Sequence, residues 1–494
     1  MLLTSLAVLV ESLLVFRRAP TTVASGLRFP AASVDMSAVC TEIASSVSSA
    51  SGVFFNGTEP YPRDIVHFAV SSTQDAACSF EPGTAEDVGI ALRILGKTGC
   101  PFAVKGGGHT LNPGFSSTSG VQIATSRFAN VIYDAATQTA TIGAGLIWDE
   151  VYAALEPYGV NVAGGRVSGI GVAGFTLGGG YSWHANQYGL TIDTVQAFEL
   201  VLPNGTVTNV NESHADLFFA LRGGFNNFGI VTQFIFKAFP QSQVWGGTII
   251  YDSSQADQLT KATADFAANN TDPKANVLTS YGYFQGGDVR QEVNVGILFY
   301  DGPSPPAGLF DGFLTSNCNT EVFTRSFLSL VQSSNANSTW GMRSAFNTIS
   351  VLEYPEHFLK HMQNQSITWG NKLPLNYGYV TFNAEPILPS VYNQATSPSA
   401  WPGSRKSPFS PLSIVFGWSG DGSTDDVIVK GIKESAANLL ANTPITERLS
   451  LYGNYAIGDT SLEAIYGVNV GKLMEIKKQV DPENVMGLAG GFKF

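Results

Sequence analysis

The chain has 494 residues, of which 44% are hydrophobic and 13% charged, and this balance excludes an intrinsically disordered protein. Its length is sufficient for two or more domains with a large core. The net charge of -12 argues against a nucleic-acid partner, because nucleic-acid binding depends on Lys and Arg side chains that neutralise phosphates.

The N-terminal residues 1–25 contain an apolar stretch that is too short and too interrupted for a transmembrane helix. We predict a signal peptide there, followed by an N-terminal segment at 26–73. N-x-[ST] sequons fit an extracellular chain, and they begin at Asn56, Asn204, Asn211, Asn269, Asn337 and Asn364. We therefore expect a secreted glycoprotein with no stable membrane anchor.

The four cysteines are Cys40, Cys78, Cys100 and Cys318. They lack the paired short spacings of a zinc site, and no metal site is predicted. They allow up to three disulfide connectivities when all are paired. We expect one bridge among the first three, and the alternative is buried free thiols in a reducing compartment.

The predicted elements of residues 74–242 begin with a strand and an amphipathic helix that Thr84 can cap. The apolar strand PFAVK, residues 101–105, follows and stops at three successive glycines. Residues 139–155 then change from strand to helix near Trp148. Two strands, VQAFELVLPNGTV and FGIVTQFIFKAF, flank the predicted helix ADLFFALRGG.

The remaining chain carries fewer local signals. Residues 243–448 are aromatic, mix strands with helices and contain no compact motif, so we expect a substrate-shaping domain there. The tail at 449–494 predicts a strand, LSLYGNYA, and then one helix, SLEAIYGVNVGKLMEIKKQV, which ends at Asp481 and Pro482.

The motif VKGGGHT places three glycines between Lys105 and His109. Glycines after an apolar strand leave backbone N–H groups open, so the turn can close around a phosphate or the edge of a ring. The alternative is a tight turn with a surface histidine.

The motif SGIGVAG formally matches the dinucleotide pattern G-x-G-x-x-G through Gly169, Gly171 and Gly174. That match raises an NAD-binding Rossmann unit as an alternative. However, glycines 178–180 follow at once and would break the required helix, each at a cost of about 1 kcal/mol relative to Ala. A loop along an extended cofactor explains so many glycines better, and a glycine-rich bend in a sheet is the structural alternative.

Several motifs occur together and in order: PFAVKGGGHT, GLIWDEVYAAL, GGRVSGIGVAGFTLGGGYSW, YGLTIDTV, LFFALRGGFNNFGIVT, YGNY and DPENVM. In this the chain resembles FAD-linked oxidoreductases with a PCMH-type FAD-binding domain and a berberine-bridge-type C-terminus, the vanillyl-alcohol-oxidase superfamily, and its fungal members above all. The resemblance implies an α+β fold of two domains. These are an FAD-binding domain at 74–242 and an antiparallel-sheet substrate domain at 243–448, with a C-terminal segment at 449–494 that returns to the first.

The resemblance also implies the cofactor and its contacts. His109 matches the histidine that bonds to the 8α-methyl group of the flavin, and Val167 stands where many relatives have a second flavin-linking cysteine, so FAD attached through His109 alone is expected. The other implied cofactor contacts are Lys105, Gly106, Gly107, Gly108, Thr110, Gly165, Ser168, Gly169, Gly171, Gly174, Ile230 and Val231.

YGNY is implied to supply the catalytic side chains Tyr452, Asn454 and Tyr455. A strand would put Tyr452 and Asn454 on one face and Tyr455 on the other. In relatives with Y-x-N-Y the second tyrosine is the usual candidate for a general base. His184 is expected to be either a hydrogen-bonded structural histidine or part of the substrate pocket.

The resulting expectation is a monomeric oxidase whose partners are a small molecule and oxygen. It would remove a hydride from a C–H bond of an alcohol, amine, sugar or secondary metabolite and give hydrogen peroxide. Ile170 occupies the aliphatic position beside the flavin that influences oxygen access, which keeps a flavin dehydrogenase as an alternative. An oxidative cyclase and a non-catalytic secreted glycoprotein are the others.

Overall fold

The computed structural model describes residues 34–314, 319–334, 336–443 and 449–494. The expected signal peptide at 1–25 and Cys318 lie outside these ranges. Within them, no helix has both the length and the apolar character needed to cross a membrane. The expected α+β class with antiparallel sheets is confirmed.

Helices alternate with strands along the whole described chain. The helices are α1 (Met36–Ser46), α2 (Tyr61–Ile65), α3 (Ala85–Thr98), α4 (Trp148–Leu155), α5 (Val172–Leu177), α6 (Ala185–Tyr188), α7 (Ala215–Leu221), α8 (Ala256–Asn269), α9 (Phe327–Ser333), α10 (Glu356–Lys372), α11 (Asp425–Ala441), α12 (Leu462–Tyr466) and α13 (Val470–Val480).

The strands fall into separate sheets. They are β1 (Gly52–Phe54), β2 (Cys78–Glu81), β3 (Phe102–Lys105), β4 (Val121–Ala124), β5 (Val131–Asp134), β6 (Thr139–Gly143), β7 (Val160–Asn161), β8 (Val195–Val201), β9 (Val207–Val210), β10 (Ile230–Lys237), β11 (Phe239–Pro240), β12 (Val244–Tyr251), β13 (Ala275–Gly286), β14 (Val289–Tyr300), β15 (Asn319–Arg325), β16 (Arg343–Val351), β17 (Tyr377–Ala384) and β18 (Ser410–Trp418).

A four-stranded sheet of order β1-β2-β4-β3 carries the first glycine turn. Strands β2 and β3 both pair with β4 in parallel, which requires the crossover that α3 supplies. The side chain of Thr84 accepts a hydrogen bond from the backbone N–H of Asp87, so the predicted helix cap is confirmed. Strand β3 ends at Lys105, as the sequence predicts, and the three glycines begin there.

The second sheet is antiparallel, of order β5-β6-β10-β8-β9. The predicted change from strand to helix before Trp148 is confirmed, because β6 ends at Gly143 and α4 begins at Trp148. Trp148 itself is fully buried in the core beside this sheet. This places the start of α4 next to the loop that carries the second glycine motif.

The third large sheet is antiparallel and seven-stranded, of order β15-β12-β14-β13-β17-β18-β16. Helices α8, α10 and α11 bury one of its faces in a core of its own. On the opposite face Phe346 and Val415 are paired across β16 and β18, and both pack against Phe68 of the segment after α2. This second face, which carries Phe346 and Val415 and is called the open face below, therefore points toward the first glycine turn.

The C-terminal segment differs from the prediction in two places. Residues 449–460 form a turn and not a strand, because the backbone N–H of Tyr455 bonds back to the carbonyl of Tyr452 at 2.9 Å. The following helix is interrupted at Gly467, whose φ of 52° belongs to the left-handed region that suits glycine. It forms α12 and α13 with a single short turn between them.

A disulfide joins Cys40 to Cys78, which confirms one bridge among the first three cysteines, and Cys100 is a buried free thiol. The bridge ties α1 to β2 and closes a sequence separation of 38 residues. Cross-linking a loop of this length lowers the entropy of the unfolded chain.

We expect Cys40→Ser with Cys78→Ser to lower the free energy of unfolding by about 2–4 kcal/mol in denaturant titrations. Cys100→Ala is the matched control, because it changes a buried cysteine without removing a cross-link. Equal losses in the two variants would mean that packing, and not the bridge, accounts for the effect.

Candidate active site

The two glycine motifs touch each other through bare backbone. A Cβ atom added at Gly107 would meet the Cα of Gly171 at 2.6 Å, and one added at Gly171 would meet the N of Gly107 at 2.5 Å. Real Cβ atoms do not approach other atoms so closely, so both positions require glycine. The motifs identified separately in the sequence therefore form one structural unit.

His109 stands at the end of the first turn in an aromatic surrounding. Its ring stacks on Phe68 with centroids 4.4 Å apart and meets the edge of Trp340 at 6.4 Å. Its Nε2 is buried and has no hydrogen-bond partner among the described residues. Burial lowers the pKa of His109 to about 4, so the imidazole is neutral at ordinary pH and has an unshared nitrogen lone pair.

Lys105 packs against the first glycine turn. Its Nζ donates to the carbonyl of Arg63 at 2.8 Å, and a Cβ at Gly108 would meet its Cε at 2.7 Å. Burial lowers the pKa of Lys105 to about 8. Thr110 follows His109, and its backbone carbonyl accepts a hydrogen bond from the Ser72 hydroxyl at 2.9 Å.

The second loop is anchored to the start of α4. Asp149 accepts hydrogen bonds from the Ser168 hydroxyl at 2.6 Å and from the backbone N–H of Gly169 at 2.7 Å. The backbone N–H of Trp148 donates to the carbonyl of Ile170 at 2.9 Å. These bonds fix the loop without using a ligand, and α5 then ends before Gly178, as the glycines predict.

The other implied cofactor positions differ in their surroundings. A Cβ at Gly174 would meet no atom within 4 Å, whereas one at Gly165 would meet the Trp148 ring at 2.6 Å. Ile230 and Val231 are buried in β10, where they pair with β8. Gly165 is thus explained by packing, while Gly174 borders open space.

The YGNY turn brings its two tyrosines together, whereas the predicted strand would have separated them. The rings of Tyr452 and Tyr455 meet edge to face with centroids 4.7 Å apart. The Tyr452 hydroxyl accepts from the backbone N–H of Gly180 at 3.1 Å and from the Asn454 amide at 2.8 Å. Burial raises the pKa of Tyr452 to about 12.

Tyr455 contacts two charged residues that sequence reasoning did not select, Arg166 and Glu385. Its hydroxyl accepts from Arg166 Nη2 at 2.9 Å and lies 3.5 Å from Glu385 Oε2, and its ring stacks on Phe346. Arg166 and Glu385 form an ion pair with exposed side-chain fractions of 6% and 1%. The Ser413 hydroxyl donates to the other Glu385 oxygen at 3.1 Å.

The charges of this cluster act on one another. Burial favours the neutral form of Arg166, but the negative charge of Glu385 outweighs it, so the pKa of the guanidinium is raised. Burial raises the pKa of Tyr455 well above its ordinary value, and Glu385 raises it further, whereas Arg166 lowers it. Without a ligand Tyr455 is therefore a neutral phenol between a cation and a carboxylate.

The side chain of His184 is packed in the protein core. It is 3% exposed, stacks on Phe327 with centroids 4.7 Å apart, and its Nε2 lies 3.8 Å from Asp301. Burial raises the pKa of the Asp301 carboxyl, but the neighbouring His184 and the hydrogen bonds from Gln187 and Gln241 outweigh it and hold this pKa below its usual range. Of the two expectations for this histidine, the structural one fits these contacts.

Comparison with known proteins places these features in a family. Residues 76–211 match the FAD binding domain family, and residues 451–489 match the family described as berberine and berberine like. FAD-dependent monooxygenase FUP4 of Fusarium proliferatum is 30% identical over 431 residues, which cover 83% of each chain. The chain belongs to the berberine-bridge-like family of FAD-linked oxidoreductases. The Rossmann alternative with NAD is thereby excluded.

Other berberine-bridge-like relatives extend the comparison. FAD-dependent monooxygenase drtC of Aspergillus calidoustus is 35% identical over 319 residues, and the match spans 63% of this chain and 60% of drtC. Xylooligosaccharide oxidase of Myceliophthora thermophila, solved in complex with xylobiose, is 20% identical with a TM-score of 0.73 over 92% of this chain and 99% of that one. At that identity the likeness shows a common fold.

The residues at the two turns fit a flavin. A neutral histidine with a buried, unpartnered nitrogen stands at the end of one turn, and Gly174 of the other borders open space. Bare backbone lets a flat cofactor approach the loops closely, and a neutral histidine with an unpartnered nitrogen is compatible with a flavin beside it.

We expect Gly107→Ala to prevent FAD loading and to destabilise the protein, because its Cβ would displace the backbone at Gly171. Gly174→Ala should leave the fold intact, since the new methyl group meets no protein atom, and should weaken FAD loading alone. Flavin absorbance per protein and thermal unfolding of the FAD-free chain measure the two effects. Normal loading in Gly174→Ala would place the cofactor elsewhere.

Proposed function

We propose that the protein is a secreted oxidase with FAD bound covalently through His109 alone. It removes a hydride from a C–H bond of a small alcohol, amine, sugar or secondary-metabolite substrate and passes the electrons to oxygen. The observation that carries this proposal is the buried cluster of Tyr455, Arg166 and Glu385, which joins the second glycine loop to the open face of the seven-stranded sheet.

The cofactor would lie across the two glycine turns. Bound there, FAD supplies the acceptor for the hydride and the route of two electrons to oxygen, giving hydrogen peroxide. The stack on Phe68 holds the His109 ring in one orientation, and burial keeps it neutral, which is the nucleophilic form. Val167 offers no thiol for a second bond.

Proton removal would fall to Tyr455. A tyrosine hydroxyl has one hydrogen and two lone pairs, and here one lone pair accepts from Arg166 while Glu385 lies within reach of the hydrogen. The remaining lone pair can take the substrate proton as the tyrosine proton moves to Glu385. This relay avoids a free tyrosinate, which burial of Tyr455 disfavours. Arg166 acts as a positioning residue that holds the Tyr455 hydroxyl with its hydrogen toward Glu385.

The same proposal divides the chain into an FAD-binding domain at 74–242, a substrate domain at 243–448 and a C-terminal segment at 449–494. It is supported by the core under the seven-stranded sheet, whose buried residues all come from 243–448. Val485 and Met486 of the tail pack into the core around α3, as a segment returning to the FAD domain would. The disulfide favours an oxidising compartment, which suits the expected secretion of a monomer.

A monooxygenase is the second candidate, because FUP4 and drtC carry that name. The two functions differ in the fate of oxygen. An oxidase releases one molecule of hydrogen peroxide for each substrate molecule oxidised. In a reaction run under isotopically labelled oxygen gas, a monooxygenase instead places a labelled oxygen atom in the product. A ring closure without added oxygen would identify the oxidative cyclase instead.

We expect Tyr455→Phe to slow anaerobic flavin reduction by about 10²-fold or more with normal FAD loading, because only the proton-accepting hydroxyl is lost. Stopped-flow absorbance of the flavin measures the rate.

Tyr452→Phe is the matched control, since it removes a neighbouring hydroxyl that bonds Gly180 and Asn454 and not the charged pair. A slowing of less than tenfold in Tyr455→Phe would refute the relay. An equal slowing of flavin reduction in Tyr452→Phe would also refute the relay.

We expect His109→Ala to bind FAD without a covalent bond. After denaturation the flavin should leave with the supernatant, whereas in the unchanged protein it should stay on the peptide that contains His109. A second flavin-bearing peptide in the unchanged protein would contradict a single attachment. Phe68→Leu, which removes the stacked ring but keeps an apolar side chain, should retain the bond and form it more slowly.

A further inference from the structure

A polar cavity of about 790 Å³ adjoins the five-stranded sheet and is made of residues that the proposed reaction does not use. Residues of α6, β6, β8 and β10 line it, together with Gln394, Thr396 and Ser397. None of its lining residues belongs to the two glycine turns, the YGNY turn or the open face. Its volume falls within the range of about 300–1,000 Å³ that is usual for ligand sites.

The unused hydrogen-bonding groups of this cavity are neutral. Four lining side chains have no hydrogen-bond partner among the described residues: Gln138, Gln196, Gln394 and Thr396. The lining also includes the half-buried Tyr188, whose ring stacks on Phe239 with centroids 3.6 Å apart. Amides and a hydroxyl beside aromatic rings match a sugar, which has hydroxyl groups around its edge and C–H groups on its faces.

The charges of the lining disfavour an ionic ligand. Lys237 and Arg222 are balanced by Asp193 and Glu212, so no net charge of either sign attracts an ion. Arg222 is also engaged already, because it pairs with Asp193 at 3.3 Å and donates from Nε to the carbonyl of Ile192 at 3.0 Å. A neutral ligand with several hydroxyl groups therefore fits the cavity better than an anion or a cation.

Asn211 lines the same cavity and begins one of the N-x-[ST] sequons. It lies in the turn between β9 and α7, where residues 211–213 are all exposed. Its Oδ1 accepts hydrogen bonds from the backbone N–H of Ser213 at 3.0 Å and from the Ser213 hydroxyl at 2.7 Å. Its Nδ2, the atom to which an N-linked glycan is attached, donates to no described residue. The sequon thus has its acceptor atom free beside a cavity suited to sugars.

Of the other sequons whose side chains the structure describes, none combines these features. The Nδ2 of Asn269 donates to a carbonyl of its own helix α8. In the sequon of Asn364, the Ser366 hydroxyl is buried and donates to a carbonyl within α10. Asn56 and Asn204 are exposed, but neither lines this cavity.

We propose that Asn211 carries an N-linked glycan whose first sugars lie in this cavity. The inference rests on the proposed secretion, because such glycans are attached in the secretory pathway. In the transfer, the C–O bond between the sugar and the diphosphate of a lipid-linked donor breaks, and a C–N bond to Asn211 Nδ2 forms. The lipid diphosphate leaves and the amide proton passes to a base, so nothing is oxidised or reduced. The attached sugars supply the hydrogen-bond partners that the four neutral side chains lack.

Glycan mapping of the full chain, produced in a fungal host, tests the attachment. Enzymatic release of N-linked glycans in heavy-oxygen water leaves a labelled aspartate at each site, which peptide mass spectrometry locates. We expect the label at Asn211. Ser213→Ala should abolish it and Ser213→Thr should retain it, because both variants change the same exposed side chain and only threonine keeps the hydroxyl of the sequon.

The rate of glycan release tests the position of the sugars. We expect a peptide N-glycosidase to release the Asn211 glycan from the folded protein about tenfold or more slowly than from the denatured chain, because hydrogen bonds hold the first sugars in the cavity. Gln138→Ala combined with Gln394→Ala should remove most of this protection. Asn204 is the matched site, since it is exposed, its Oδ1 accepts from the backbone N–H of Thr206 at 3.0 Å, and it does not line the cavity. Release of a glycan at Asn204 should be the same in the double variant and the unchanged protein.

The outcome is separable from that of the proposed secretion. A bare Asn211 in a chain that carries a glycan at another sequon would overturn the inference and leave secretion standing. A chain that stays inside the cells and carries no glycan would overturn both. If the double variant released the Asn211 glycan at the rate of the unchanged protein, the sugars would lie outside the cavity. Binding of free chitobiose by a chain with a bare Asn211 would assign the cavity to a soluble sugar and likewise contradict the inference.

Discussion

The buried ion pair between Arg166 and Glu385 joins parts of the chain that are 219 residues apart. Taking both charges out of water carries a large desolvation penalty, and removing one partner of such a pair typically costs about 3–5 kcal/mol. Apolar residues of similar volume would fill the same space at no loss of stability, and often with a gain. The pair is therefore a poor device for stability alone, and in the proposed function its contact with Tyr455 at 2.9 Å gives it a role in proton transfer.

The pair also fixes where two rigid units meet. On one side, the glycine loops are set by backbone contact at Gly107 and Gly171 and by the bonds of Asp149 to the second loop. On the other side, Glu385 follows β17 of a seven-stranded sheet whose hydrogen-bonded register leaves little freedom. The ion pair between these units contacts the Tyr455 hydroxyl and helps to position it. Phe346 completes the arrangement by stacking on the tyrosine ring.

The sequence predicted the features that depend on neighbouring residues. The cap at Thr84, the end of β3 before the three glycines and the start of α4 at Trp148 all follow from short-range patterns, and each is confirmed. The prediction of a strand at YGNY was wrong. It relied on the alternation of side chains, whereas the turn preference of Gly453 and Asn454 decides the structure there.

Arg166 and Glu385 were missed for a different reason. Arg166 lies inside a motif whose glycines dominated the interpretation, and Glu385 lies in the long stretch without motifs. Neither has a local pattern that marks it, because the property that matters is the contact between them. A lone Arg within a glycine-rich cofactor loop is a usable signal, since a cation there needs a buried partner once the loop is enclosed.

In the proposed function, the open face of the seven-stranded sheet selects the substrate while other residues carry out the chemistry. Alternate positions on adjacent strands share this face, and Gly282, Thr381, Val415 and Phe346 follow one another across it by register. These side chains are uncharged, so the ion pair and Tyr455 supply the charge at the site while the sheet supplies shape. Because side chains on one face of a strand can change without altering its hydrogen bonds, the sheet can accept new substrate outlines while the proton-handling cluster and the glycine turns stay fixed.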